Sequence, residues 1–107
     1  MSSSARKVTV SRDSLIVDLR DGRTIVVPLC WYPRLLHGTQ PERKRWRLIG
    51  RGAGVHWPDL DEDVSVQGLL AGHASSESVS SLRKWLKSRA VLKKDPWRSR
   101  SNSKGRV

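Results

Sequence analysis

Several stretches of this chain carry residue types that could do chemistry. His56 lies just before Asp59, Asp61, Glu62 and Asp63, and a histidine beside carboxylates is the material of general acid–base catalysis. Asp59, Asp61 and Asp63 also alternate as the first ligands of a calcium loop do. The sharp-turn glycine of such a loop would have to be Val64 and its bidentate glutamate Leu70, so capping of a following helix is the better use of these acids. Gly50-Arg51-Gly52-Ala53-Gly54 has the glycine content of a phosphate-cradling loop, but no Lys-Ser/Thr pair follows it and no helix start comes directly after Gly54. A tight strand-to-strand connection is the better account. His37, His56 and His73 lie in separate segments, with no serine, cysteine or carboxylate set beside one as an activated nucleophile. No enzyme, metal site or cofactor is therefore expected.

Charge is distributed more informatively. Residues 1–72 carry 11 Lys/Arg and 8 Asp/Glu, a net of +3, whereas residues 73–107 carry 10 and 2, a net of +8. Such asymmetry points to a polyanion. The cations expected to meet it are Arg83, Lys84, Lys87, Arg89, Lys93, Lys94, Arg98 and Arg100. If the polyanion is a nucleic acid, contacts should be chiefly to phosphates and strongly salt-dependent. A membrane is not expected, because the apolar face of this segment is only three aliphatic residues and a tryptophan. Trp31 and Tyr32 stand at a strand end where a partner could reach them, and with Arg34, Asp61 and Glu62 they form the expected protein-binding set. Cys30, the single cysteine, cannot close an internal disulfide and is expected to be a buried small apolar group. With no signal-peptide run and no stretch long enough to span a bilayer, a soluble cytoplasmic protein is the expectation.

The elements that must position these residues follow from periodicity. Lys7–Val10 and Ser14–Leu19 alternate with period two and read as strands. Asp21-Gly22 then marks a hairpin and returns the chain over Thr24–Leu29, giving a three-stranded antiparallel meander. Trp31 to Gly38 fits a single helical turn starting near Pro33. Thr39-Gln40-Pro41-Glu42 is a capping box that opens a second short helix through about Trp46. A further strand or two should follow, with Val55, Trp57 and Leu60 pointing into the core. Without phenylalanine, the core must draw its large rings from tryptophan and tyrosine, each burying about 150–250 Å², and Trp46 and Trp57 are the favoured ones. Asp63 or Ser65 can cap a packing helix that Gly72 closes. The expected organisation is thus an α+β domain over 1–72 and a linker over 73–78. A basic amphipathic helix over 79–94, carrying Val79, Leu82, Trp85 and Leu86, and a disordered basic tail over 95–107 complete it.

The body resembles a family of small bacterial proteins known as domain of unknown function 2442, over about residues 7–72. The likeness rests on Asp21-Gly22-Arg23 before a strand, Trp31-Tyr32-Pro33-Arg34-Leu35, Trp46-Arg47-Leu48-Ile49-Gly50 and, above all, the run from His56-Trp57-Pro58-Asp59-Leu60 to Leu70-Ala71-Gly72. The resemblance implies an α+β domain without a known reaction. It also implies a gene context in which a second small gene lies alongside, in a toxin–antitoxin-like arrangement. In some relatives a helix-turn-helix follows the domain; here the pattern stops at about Gly72 and none is expected. A non-enzymatic, antitoxin-like module follows, binding a cognate protein through the body and nucleic acid through the basic helix. The alternative is an accessory subunit of a larger DNA- or RNA-bound complex.

Overall fold

The structure is a computed structural model that describes residues 3–93, the side chains of residues 91–93 excepted. It is α+β, with two antiparallel sheets of three strands each. The described residues fall into two units, 3–76 and 77–93.

The first sheet is the expected meander. Strands β1 (Ala5–Val10), β2 (Ser14–Leu19) and β3 (Thr24–Pro28) pair in sequence order. Leu15 faces Val27 and Val17 faces both Val8 and Ile25, so alternate β-branched and leucine side chains share one buried face. The β2–β3 turn is closed by Leu19 N–H donating to the Arg23 carbonyl at 2.8 Å. Asp21 accepts from the Arg23 side chain and from Ser3, and these hydrogen bonds, Arg23's first, hold its carboxyl well below the usual carboxylate range. Pro28 ends β3 as expected of a residue without an amide donor.

A 3-10 turn over Leu29–Trp31 leads into helix α1 (Pro33–Leu36), with Pro33 in its first turn. Leu29 takes the buried position and leaves Cys30 exposed, which corrects the expectation that the cysteine is internal. Helix α2 (Gln40–Lys44) opens with the complete capping box: Glu42 N–H donates to Thr39 Oγ1 at 3.3 Å and Thr39 N–H donates to Glu42 Oε1 at 2.8 Å.

The second sheet holds β4 (Arg47–Ile49), β5 (Gly54–Trp57) and β6 (Glu62–Ser65), with β5 in the centre. It has one strand more than the upper expectation, because the acid-rich stretch is a strand where it ends and does not start a helix. Glu62, Asp63, Val64 and Ser65 alternate in and out against Trp57, His56, Val55 and Gly54. The helix begins only at α3 (Val66–Leu70), where Ser65 and not Asp63 is the N-cap, accepting from Gly68 N–H at 2.9 Å. A Cβ on Gly68 would stand 2.7 Å from Ser65 Oγ, so the missing side chain is what lets this cap close. Gly72 follows the helix with a positive φ of 76°, as expected.

Val55, Trp57 and Leu60 are all fully buried, beside Leu15, Leu19, Leu29 and Leu35. Trp57 is the largest of the fully buried side chains, and its indole N–H donates to the Arg43 carbonyl at 3.0 Å, tying β5 to α2. Trp46, the other ring expected in the core, is only half-buried, since it precedes the edge strand β4 and has a strand on one side alone.

In the second unit, helix α4 spans Val79–Lys93. Ser78 caps it by accepting from Ser81 N–H at 3.1 Å. Among the described residues no helix is long and apolar enough to cross a membrane.

Replacing Trp57 with alanine should lower stability by about 3–5 kcal/mol, through lost burial and the cavity left behind. Val26→Ala, on the exposed face of β3, should stay within about 0.5 kcal/mol. Denaturant midpoints of the two variants check the contrast; equal shifts would contradict a core centred on Trp57.

Candidate functional site

The β5–β6 register decides where the acids go. Glu62 stands opposite Trp57 and therefore on the inward face of the strand, where it is 9% exposed. Tyr32, at the junction of the 3-10 turn and α1, is 4% exposed. These two side chains line a cavity of about 260 Å³ together with Asp63, Ser65, His73 and Ser75. The segment after α3 closes it through two hydrogen bonds. Tyr32 O–H donates to the His73 carbonyl at 3.1 Å, and Ser75 N–H donates to the Trp31 carbonyl at 2.9 Å. Burial pushes the Tyr32 phenol above its ordinary value of 10.0, and the nearby Glu62 charge pushes it further the same way. The cavity wall is thus a neutral phenol, a buried carboxylate and several hydroxyl and backbone groups.

Among the residues expected to bind a protein, Arg34 and Asp61 are joined directly. Arg34 donates to the carbonyls of Leu60 at 3.5 Å and Asp61 at 3.3 Å, and its guanidinium lies 3.6 Å from the Asp61 carboxylate. Two members of the set need correcting, however: Tyr32 and Glu62 face inward and are buried, because the β5–β6 register and the α1 junction turn them to the interior. Of the other three, Asp61 is exposed, while Trp31 and Arg34 are half-buried. Sequence reasoning does not single out His73 and Ser75, and no local signal marks them. They reach Tyr32 and Trp31 across more than forty residues of chain, through the close of α3 at Gly72.

The alternating aspartates turn to three different side chains. Asp59 pairs with Arg45 at 2.7 Å, Asp61 with Arg34, and Asp63 with His56 Nδ1 at 2.5 Å. Among the described residues, no three His, Cys, Asp or Glu side chains are grouped as metal ligands. His56 sits on the sheet face opposite Trp57, with Asp63 as its cross-strand neighbour.

Of the expected nucleic-acid residues, Arg83, Lys84 and Lys87 are exposed on α4. Arg89 lies over the Trp85 ring, 4.7 Å from its centroid, a cation–π contact between residues one turn apart. Lys93 ends the helix, while Lys94, Arg98 and Arg100, like the tail expected over 95–107, lie outside the described residues.

The family described as "Protein of unknown function (DUF2442)" matches residues 5–75. The chain is also similar to a protein of unknown function from Rhodospirillum rubrum, known from a crystal structure. That likeness has 30% identity and a TM-score of 0.63, covering 72% of this chain and 95% of the other. A solution structure of an uncharacterized protein from Chromobacterium violaceum shares the fold at 23% identity and a TM-score of 0.60, covering 80% of this chain and 75% of that one. No curated protein is similar to the chain at a significant level.

Tyr32 is the one tyrosine of the chain, so tyrosinate absorbance reports it alone. The folded protein should titrate above 10.0, and Glu62→Gln should lower the midpoint part of the way, since burial is the larger cause. The folded state holds the phenol's proton to higher pH than the unfolded chain does. The stability linked to it is therefore intact below pH 10.0 and lost as pH rises through the folded value. A midpoint at 10.0, unmoved by Glu62→Gln, would contradict the inward placement of both groups.

Proposed function

The chain belongs to the DUF2442 family of proteins of unknown function, and on that premise we propose that it is a non-enzymatic, antitoxin-like binding module. Its body engages a cognate protein, and its basic C-terminal segment adds affinity for nucleic acid. The observation that carries this reading is the partition of charge. Residues 73–107 hold a net of +8, and Arg83, Lys84 and Lys87 stand exposed on α4. Arg83 and Lys84 on one turn and Lys87 on the next are three exposed cations of the kind that contact phosphates, which fix position without reading sequence.

The body supports the protein-binding half by its surface. Asp61 is exposed and pairs with the half-buried Arg34, and Trp31, which precedes Tyr32, is a partly exposed aromatic ring. Aromatic residues and arginine are the types enriched at the centres of protein interfaces. The gene context implied by the family resemblance supplies the cognate partner, namely the product of a neighbouring small gene.

Fluorescence anisotropy of labelled duplex DNA, titrated with full-length protein at about 50 and about 200 mM salt, tests the nucleic-acid half. Affinity should fall steeply with salt. The variant Arg83→Gln/Lys84→Gln/Lys87→Gln should flatten the salt slope by about 1 for each phosphate that is no longer neutralised. An unchanged slope, or no binding by the unaltered protein at low salt, would remove nucleic acid from the proposal.

A further inference from the structure

A second concave site lies on the first unit, away from the Tyr32–Glu62 cavity. Its volume is about 570 Å³ and it is lined by Ser4, Arg20, Leu48, Arg51 and Gly52. Two arginines thus line one cavity, yet they come from separate parts of the fold. Arg20 follows β2 at the start of the hairpin turn, and Arg51 belongs to the glycine-rich connection between β4 and β5.

The backbone on both sides is held in place. Arg20 N–H donates to the Ser4 carbonyl at 2.9 Å, which fixes the hairpin against the residue preceding β1. Across from it, Gly52 comes so close to β1 that an added Cβ would stand 2.9 Å from the Ala5 carbonyl oxygen. Between Gly50 (φ 57°) and Gly52 (φ 88°), Arg51 itself is left-handed, with φ 57° and ψ 37°. That conformation is unusual for a side chain other than glycine, asparagine or aspartate, and residues held so against their preference concentrate at functional sites. A glycine at position 51 would relieve the strain. Retaining arginine there places a cation at the cavity.

The electrostatics are one-sided. No carboxylate lines the cavity, and among the described residues neither Arg20 nor Arg51 makes an ion pair. The aspartate nearest in sequence, Asp21, is already engaged by Arg23 and Ser3. Two arginines brought together without a counter-charge repel each other unless an anion joins them. Guanidinium forks match phosphate oxygens in geometry, and a phosphomonoester brings close to two negative charges and three acceptor oxygens, against one charge and two oxygens for a carboxylate. Ser4 and Leu48 complete the lining with a hydroxyl-bearing and an apolar side chain.

We propose that this cavity binds a phosphate group, clamped between Arg20 and Arg51. The loop over residues 50–54 does not act as a phosphate loop leading into a helix; it acts by carrying Arg51 to the hairpin. The phosphate can come from a small phosphorylated molecule or from a nucleic-acid backbone, and the site is independent of the cations on α4.

The test is amide chemical-shift mapping on the full-length protein. It is titrated with inorganic phosphate and, separately, with a short oligodeoxynucleotide lacking terminal phosphates. Saturable shifts are expected at Ser4, Arg20, Arg51 and Gly52. Arg51→Gly, which keeps the left-handed backbone accessible, and Arg20→Gln should each weaken binding at these amides by at least about tenfold, the value of a charge-assisted hydrogen bond. Arg12→Gln, which removes an exposed cation elsewhere on the body, should change it little. Response to inorganic phosphate alone assigns a small phosphorylated ligand, and response to the oligonucleotide alone assigns a nucleic-acid backbone. Failure of both probes to shift these amides, or an equal loss in all three variants, would overturn the site. Loss of DNA binding in the α4 variant with these shifts intact separates the two proposals.

Discussion

The burial of Trp57 is the constraint on which the rest of the body depends. A chain without phenylalanine has few ways to fill a core, and here a fully buried indole occupies the central strand of the second sheet. Its N–H must find an acceptor once removed from water, and the Arg43 carbonyl at the end of α2 supplies it. That bond fixes α2 against β5. The same strand register sets Glu62 opposite Trp57 and Asp63 opposite His56, so one acid goes inward and its neighbour stays in solvent.

Placement of the charged groups follows from that register. Glu62 reaches the Tyr32 cavity only because β6 pairs with β5 in this alignment; a slip of one residue would bury Asp63 and expose Glu62. Asp61, in the turn before β6, takes a left-handed backbone (φ 50°) and meets Arg34. Two of the cavities of the body differ in sign. One is walled by Glu62 and Asp63 and closed by the segment after α3, while the other is bordered by Arg20 and Arg51.

Much of this is legible in the sequence where the signal is local. Asp21-Gly22 marks the hairpin because a positive φ at Gly22 is what such a turn needs, and Thr39 with Glu42 marks a helix start because the two side chains satisfy each other's amides. Val55, Trp57 and Leu60 stand out as core by their apolar character. The acid-rich stretch misleads for a physical reason: carboxylates favour helix N-termini, and an inward-facing glutamate disguises the two-residue alternation of Glu62–Ser65. Tyr32 and Cys30 depart from expectation in opposite senses, since a three-residue 3-10 turn rotates the chain between them by an amount that composition does not encode. The Arg20–Arg51 cavity is not legible at all, because its two sides meet through long-range contacts, the close approach of Gly52 to β1 and the bond from Arg20 N–H to the Ser4 carbonyl.

The most direct test of a body organised on Trp57 is hydrogen exchange at its indole N–H, followed by NMR in the full-length protein. This proton should exchange only when the body unfolds, with the protection of the most stable backbone amides in β2 and β5. Exchange at the rate of an exposed indole would contradict that organisation, and with it the register that carries Glu62 to Tyr32.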